Sequence, residues 1–327
     1  MKIKLFKRFF VFLFSTFGML QVSVAQTGTY PDHAIKLIVP FAAGGYGDIV
    51  ARILSDKLSK SLGESVVVLN KAGAGSTIGT EMVAKAPADG YTLGLISTTH
   101  VVTPWVYKKL PYDALKDFEP ITNLIDGPYV LVVNSNFPAK NVKELVALAK
   151  AKPTTINFAS SGNGSTQHLL GALLEQLAGI ELTHVPYKGS AQALTDLLGG
   201  EVPMSFVGLP ATLPHIKAGK LRALGITGVH RNKNLPDVPT MEEAGIKGYT
   251  VTPWMGVIAP AGTPKNIITK LQKAAAQGYS EPDAVEKLEA AGLALNLSKD
   301  SDDFKRLIYS EYDVWGKIVK KAEAKAD

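Results

Sequence analysis

The chain has 327 residues, 46% of them apolar, with 35 basic and 29 acidic residues and no cysteine. The missing thiols exclude disulfide staples and thiolate chemistry, and six scattered histidines, with no i,i+4 pair and no H-E-x-x-H pattern, point away from a metal site. The formal charge of +6 includes four basic residues in the first 25; the other 302 carry 31 basic and 29 acidic residues, a net +2 that calls for no nucleic-acid partner.

Residues 1–25 read as a cleaved signal peptide. Lys2, Lys4, Lys7 and Arg8 form a basic start, residues 9–20 an apolar core, and Ser23-Val24-Ala25 a small-residue cleavage site before Gln26. The core is short for a membrane span, and no later stretch reaches about 18 uninterrupted apolar residues. The expectation is a periplasmic protein without a membrane-spanning segment.

The apolar run at 35–39, rich in branched residues and bounded by Pro40, predicts a buried strand. Pro-Phe-Ala-Ala-Gly-Gly-Tyr-Gly-Asp follows at 40–48, then a helix with Val50, Ile53, Leu54, Leu58 and Leu62 on one stripe. Gly44, Gly45 and Gly47 at a strand-to-helix junction expose backbone N–H groups and let a ligand approach the chain. The helix start adds unpaired donors and the positive end of its dipole, which makes an anion cradle. Asp48, in the first helical turn, is placed to accept loop N–H bonds, with Arg52 as its structural partner.

A strand at 66–69 leads to Asn70-Lys71-Ala72-Gly73-Ala74-Gly75-Ser76-Thr77-Ile78-Gly79. This resembles a dinucleotide loop, but its spacing is one residue too long, and the next strand, 91–96, ends in Ser97-Thr98-Thr99-His100 rather than near an acid. Residues 101–118, rich in Pro and aromatic residues, read as a surface excursion. Strands follow at 119–124 and 129–133, then a helix from an Asn141 cap, with Glu144 three residues on, to about Lys150.

The strand-loop-helix device then repeats. A strand at 155–159 leads to Ser160-Ser161-Gly162-Asn163-Gly164-Ser165 and a helix marked by Leu169, Leu170, Leu173, Leu174 and Leu177. Gly63 and Gly179 end the two helices. Further strands are expected at 181–185, 204–208, 220–226 and 251–259, helices at 191–198 and from Pro264, and a helical C-terminal part broken near 294–298. Two such units more than 100 residues apart predict two similar lobes whose anion-binding loops face each other across a cleft. Ser165 and His168, one turn apart, invite a serine-hydrolase reading, but no G-x-S-x-G elbow surrounds the serine; Ser165 is expected to cap the helix and His168 to pack on the loop.

Several motifs together resemble the periplasmic receptors of tripartite tricarboxylate transporters, the Bug family. They are Leu37-Ile38-Val39-Pro40-Phe41-Ala42-Ala43-Gly44-Gly45 with Asp48, Ala51 and Arg52; Lys71-Ala72-Gly73-Ala74-Gly75; Asp89-Gly90-Tyr91-Thr92-Leu93; His184-Val185-Pro186-Tyr187-Lys188-Gly189; Leu235-Pro236-Asp237-Val238-Pro239-Thr240; and Ala259-Pro260-Ala261-Gly262-Thr263-Pro264. Thr103 and Gln192 stand where the family commonly has Asn and Pro. The resemblance implies an α/β two-lobed periplasmic-binding-protein clamshell, each lobe a mostly parallel sheet flanked by helices. It also implies no enzymatic activity, a carboxylate ligand held by the two loops partly through water, and a membrane transporter as partner. A sensor role for the same fold is the alternative.

The expected lobes are 26–124 with 252–327, and 125–251, joined by hinges near 119–127 and 251–256. The expected ligand set is Phe41, Ala42, Ala43, Gly44, Gly45, Tyr46, Asp48 and Thr98 from the first lobe. The second lobe would supply Tyr129, Ser160, Ser161, Asn163, Gly164, Ser165, His168 and Gly208. No cofactor, no metal, no nucleic acid and a monomeric state are expected. Neither loop contains Arg or Lys, so a carboxylate there must be met by neutral donors. Such bonds to a charged group contribute roughly 1.5–3 kcal/mol each, so four or five suffice for micromolar binding, about 8 kcal/mol.

Overall fold

A computed structural model describes residues 30–44 and 46–322. The leader expected over 1–25, and Gly45, lie outside the described residues. The first part runs β1 (Ile35–Val39), α1 (Tyr46–Leu62), β2 (Val66–Asn70), a 3-10 turn (Ala74–Ser76), α2 (Thr77–Ala84), β3 (Thr92–Ser97), α3 (Thr99–Val106) and β4 (Phe118–Asp126). The second part runs β5 (Tyr129–Asn134), α4 (Val142–Ala151), β6 (Asn157–Ser160), α5 (Thr166–Ala178), β7 (Thr183–Pro186), α6 (Ser190–Gly199), β8 (Met204–Gly208), α7 (Leu209–Lys217) and β9 (Leu221–Ile226). The chain closes with β10 (Trp254–Pro260), α8 (Lys265–Tyr279), α9 (Pro282–Ala290), β11 (Ala294–Leu295) and α10 (Ser301–Ala322).

The strands form two sheets, in the orders β11-β4-β10-β3-β1-β2 and β7-β6-β8-β5-β9. Each has a parallel half: β1 pairs in parallel with β2 and β3, and β6 with β7 and β8. In each sheet the strand that feeds a glycine loop has an edge strand on its outer side. Parallel strands with helical crossovers bury both faces, which is why β1 reads as an apolar run rather than as an alternating one.

The chain passes between the sheets twice, from β4 to β5 and from β9 to β10. These passages are tied to each other. Gly127 N–H donates to the Pro253 carbonyl at 2.7 Å. Tyr129 N–H donates to Thr227 Oγ1 at 2.9 Å, and Thr227 N–H returns to the Tyr129 carbonyl at 2.8 Å.

One expectation needs correction. Residues 101–118 are not a surface excursion: Thr99–Val106 is a helix, and Val101, Val102, Val106, Tyr112, Ala114 and Phe118 are buried. Pro104 lies inside that helix without ending it, because the short helix turns its apolar side into the core. The C-terminal part is helical with a break at 291–300, as expected, and its last helix enters the core. Phe304 and Trp315 of α10 are fully buried; Phe304 meets Trp254 edge to face at 5.4 Å, and Trp105 Nε1 donates to the Tyr312 carbonyl at 3.0 Å. Helix α10 packs on α3 and β4 of one lobe and on α5 of the other. One apolar cluster therefore runs from Val101 and Val106 through Trp254 and Trp315 to Leu131, Phe158 and Leu170.

Candidate ligand cleft

The first loop is shaped by a buried carboxylate. Asp48 Oδ2 accepts from Gly44 N–H at 2.9 Å and from Arg52 Nε at 2.8 Å. Its Oδ1 accepts from Asn70 Nδ2 at 3.0 Å, and the same amide nitrogen donates to the Phe41 carbonyl at 3.1 Å. Burial pushes the Asp48 pKa up, but Arg52, Gly44 N–H and Asn70 outweigh it and hold the group below the usual carboxylate range. Asp48 thus organises the loop. Gly44 sits at φ +75°, where only glycine is unstrained. A Cβ on Gly47 would fall 2.4 Å from the Phe41 ring, so glycine is needed there for packing. Ala42, Ala43 and Gly44 are exposed at the loop crest.

The second loop is shaped by two imidazoles. Ser165 caps α5, accepting from His168 N–H at 3.3 Å. The His168 ring turns back, and its Nδ1 accepts from Gly164 N–H at 3.1 Å. His184, on β7 beside Phe158, stacks on His168 with centroids 3.9 Å apart and lies 2.6 Å from Ser160 Oγ. Ser160 Oγ also lies 3.1 Å from the Gly162 carbonyl and accepts from Gly162 N–H at 3.1 Å. Ser161 Oγ donates to Gln167 Oε1 at 2.5 Å. Burial pushes both rings down to about 4, His184 further by its neighbour His168. Two neutral imidazoles therefore brace the loop at pH 7. This geometry fits capping and bracing rather than hydrolysis, since Ser160 is fully buried and the Ser165 hydroxyl faces a backbone N–H.

The second loop touches the first lobe. A Cβ on Gly164 would fall 2.3 Å from Val106 Cγ1 of α3, so the second loop rests on the first lobe. Tyr46, the first residue of α1, reaches the β4–β5 passage, where a Cβ on Gly127 would lie 1.5 Å from its hydroxyl. Its ring oxygen is near Tyr129 and Asp126, and burial raises its pKa. Tyr129 pairs with Gly208 at the end of the second sheet, and burial pushes its phenol up to about 12. Thr98 is buried, its Oγ1 accepting from Trp254 N–H at 3.0 Å beside the β9–β10 passage. Asn163 is exposed at the tip of the second loop.

The third glycine stretch has a packing role. Glycine at position 79 lets α2 approach β1, since a Cβ there would fall 2.9 Å from both the Lys71 carbonyl and Pro40. Between that stretch and β3 the hydroxyl-bearing Ser76, Thr80, Ser97 and Thr99 come together.

Sequence reasoning missed Asn70, Gln167, His184, Val106 and Gly127 as shapers of the cleft. The parallel register of β6 and β7, which pairs Phe158 with His184, is the signal that could have found His184.

The family model of the tripartite tricarboxylate transporter family receptor matches residues 50–324. The chain belongs to that receptor family. Among its relatives, protein BugT of Bordetella pertussis is 40% identical over 299 residues, covering 91% of each chain. Among solved structures, Rpa4515 of R. palustris with adipate is 35% identical with a TM-score of 0.84, covering 90% of this chain and 99% of that one. MatC (Rpa3494) from Rhodopseudomonas palustris with bound malate is 32% identical with a TM-score of 0.80, covering 89% and 100%. The receptor family is one of solute-binding proteins, and the two-lobed clamshell is its fold.

Two measurements check the loop geometry. An ordinary imidazole takes a proton near pH 6.5, whereas folded His168 and His184 resist until about pH 4. Between those values the unfolded chain binds more protons, so stability falls as pH drops through that window. His168→Asn, which keeps an acceptor for Gly164 N–H, should give a shallower decline of the urea midpoint between pH 6.5 and 4.5. Gly164→Ala should wedge the loop off Val106 and enlarge the radius of gyration in small-angle scattering, and Val106→Ala in the same chain should reverse it. An unchanged profile would mean that the loop does not bear on the first lobe.

Proposed function

We propose that this receptor captures a small carboxylate-bearing solute between its lobes in the periplasm and delivers it to a tripartite tricarboxylate-type membrane transporter. The observation that carries the reading is the pair of braced, cation-free loops at strand-to-helix junctions of the two sheets, the second of which rests on the first lobe at Val106. The adipate and malate complexes of relatives with the same fold support a carboxylate ligand. The ligand set is Phe41, Ala42, Ala43, Gly44, Gly45, Tyr46 and Thr98, with Asp48 as its organiser, facing Tyr129, Ser160, Ser161, Asn163, Gly164, Ser165, His168 and Gly208. Residues 26–124 and 252–327 act as one lobe and 125–251 as the other, with α10 spanning both, and the working form is a monomer. Residues 1–25 direct export and are removed.

The full set of bonds to one carboxylate exists only when the lobes are shut, so ligand favours the closed form by that difference. A thermal-shift screen of adipate, malate, tricarboxylates and aromatic carboxylates should yield at least one that raises the melting temperature. At one hundred times its Kd the stabilisation is about 2.7 kcal/mol. The corresponding amides should do nothing, and the active compound should shrink the radius of gyration. A screen in which no carboxylate stabilises the protein would refute the receptor reading. Sequencing of the exported chain should begin at or within a residue or two of Gln26; a chain still starting at Met1 would remove the export assignment.

A further inference from the structure

Both loops are neutral where they would touch a ligand, which leaves open how an anion is drawn to them. Hydrogen-bond donors act at contact, whereas a point charge reaches about 8 Å at physiological ionic strength. The sheet topology supplies two such charges in equivalent places. The outer neighbour of β1 is the edge strand β2, and the outer neighbour of β6 is the edge strand β7; both pairs are parallel. Parallel pairing brings the carboxyl ends of neighbouring strands out on the same side, about 4.8 Å apart. Val39 is paired with Asn70, and the next residue, Lys71, donates its N–H to the Val39 carbonyl at 2.8 Å. Ser160 is paired with Pro186, and Tyr187 donates its N–H to the Ser160 carbonyl at 3.0 Å, with Lys188 next in the chain. The Tyr187 carbonyl lies 3.4 Å from where a Gly162 Cβ would be. One lysine thus flanks each loop, on the sheet edge farthest from the passages between lobes, and both are exposed.

The loops themselves add little charge, although Lys108 and Lys109 follow the Val106 and Tyr107 that touch Gly164 and Gly75. Asp48 is neutralised by Arg52. Residues 160–165 carry no charged side chain, and His168 and His184 are uncharged at pH 7. Asp196, on α6, interacts with the Tyr187 hydroxyl, and Glu201 acts on the same phenol.

Resting on the receptor reading above, we propose that Lys71 and Lys188 are a steering pair: they gather carboxylates at the outer rim of the cleft and take no part in the bonds that hold the ligand. Lysine suits this role, being a hydrated point charge on a flexible stem. A unit charge about 7 Å from an anion in water contributes close to one thermal unit, so each lysine enriches carboxylate by about two- to threefold at low salt.

The test uses the folded full receptor, as wild type, Lys71→Gln, Lys188→Gln and the double variant. Amide relaxation enhancement is compared between an anionic nitroxide, carboxy-proxyl, and a cationic one, aminomethyl-proxyl, at low ionic strength. In the wild type the anionic probe should dominate at Gly44 and Gly162. Lys71→Gln should lower the ratio about twofold at Gly44 alone, and Lys188→Gln at Gly162 alone. Ratios unchanged in the double variant would overturn the proposal. This arm needs no ligand, so a failed carboxylate screen defeats the receptor reading without deciding the steering result. For a carboxylate that the screen yields, stopped-flow association should slow two- to threefold per substitution with dissociation unchanged, and the difference should vanish at about 0.5 M salt. Unchanged association with faster dissociation would make the lysines ligand contacts and overturn steering.

Discussion

The cleft depends on how Asp48 is satisfied. A carboxylate withdrawn from water must be met by donors or it destabilises the fold by several kcal/mol. Here three elements meet that demand: Gly44 from the loop, Arg52 from α1 and Asn70 from the end of β2. The requirement fixes the geometry in return. Gly44 must turn its N–H inward, which places it at positive φ. Asn70 must stand at the last position of β2, and its second contact, to the Phe41 carbonyl, ties the loop's first turn to the neighbouring strand. Because Arg52 offsets the charge, the crest formed by Ala42, Ala43 and Gly44 stays free of a negative field that would repel an anionic ligand.

The second lobe meets the same problem with different chemistry. A loop of small residues has little side-chain packing to hold it, and each of its polar groups needs a partner. In place of a carboxylate clamp, His168 accepts a loop N–H and His184 holds Ser160, with the two rings stacked. Burial keeps both rings neutral, so this loop too is held without adding a charge beneath it. Carboxylate, guanidinium and imidazole therefore shape the loops by holding their backbone N–H groups and hydroxyls.

This division explains what could be read from the chain. The strands and both glycine loops were legible because branched apolar runs ending in Gly- or Ser-rich junctions have few alternative conformations. Ser165 as a cap was legible because the preference is local. The helix Thr99–Val106 was hidden because Pro104 and the surrounding aromatic residues signal a loop, while its burial depends on α10, about 200 residues later. Helix α7 was missed for a related reason, with Pro210 and Pro214 masking a short apolar face. Asn70, Gln167 and His184 were invisible as loop partners because each acts through strand register or tertiary contact rather than sequence spacing.

The same tertiary contacts limit how the lobes can move. Two hydrogen-bonded passages would by themselves permit a broad hinge rotation. Helix α10 narrows it, since one buried cluster runs through Trp254 and Trp315 into both lobes. Polar ties add to this between the 231–234 segment and the end of α9: Asn232 Nδ2 donates to the Gly292 carbonyl at 3.0 Å, Asn234 Nδ2 to the Glu289 carbonyl at 2.8 Å, and Lys233 pairs with Glu289 at 2.7 Å. Any rotation of one lobe on the other would have to preserve this packed side, where Phe304, Trp254 and Trp315 are buried. A rotation that leaves the apolar core intact avoids the large cost of exposing it. The second loop lies against the same cluster, Gly164 on Val106, so its position is set by the packing that joins the lobes as well as by its two imidazoles.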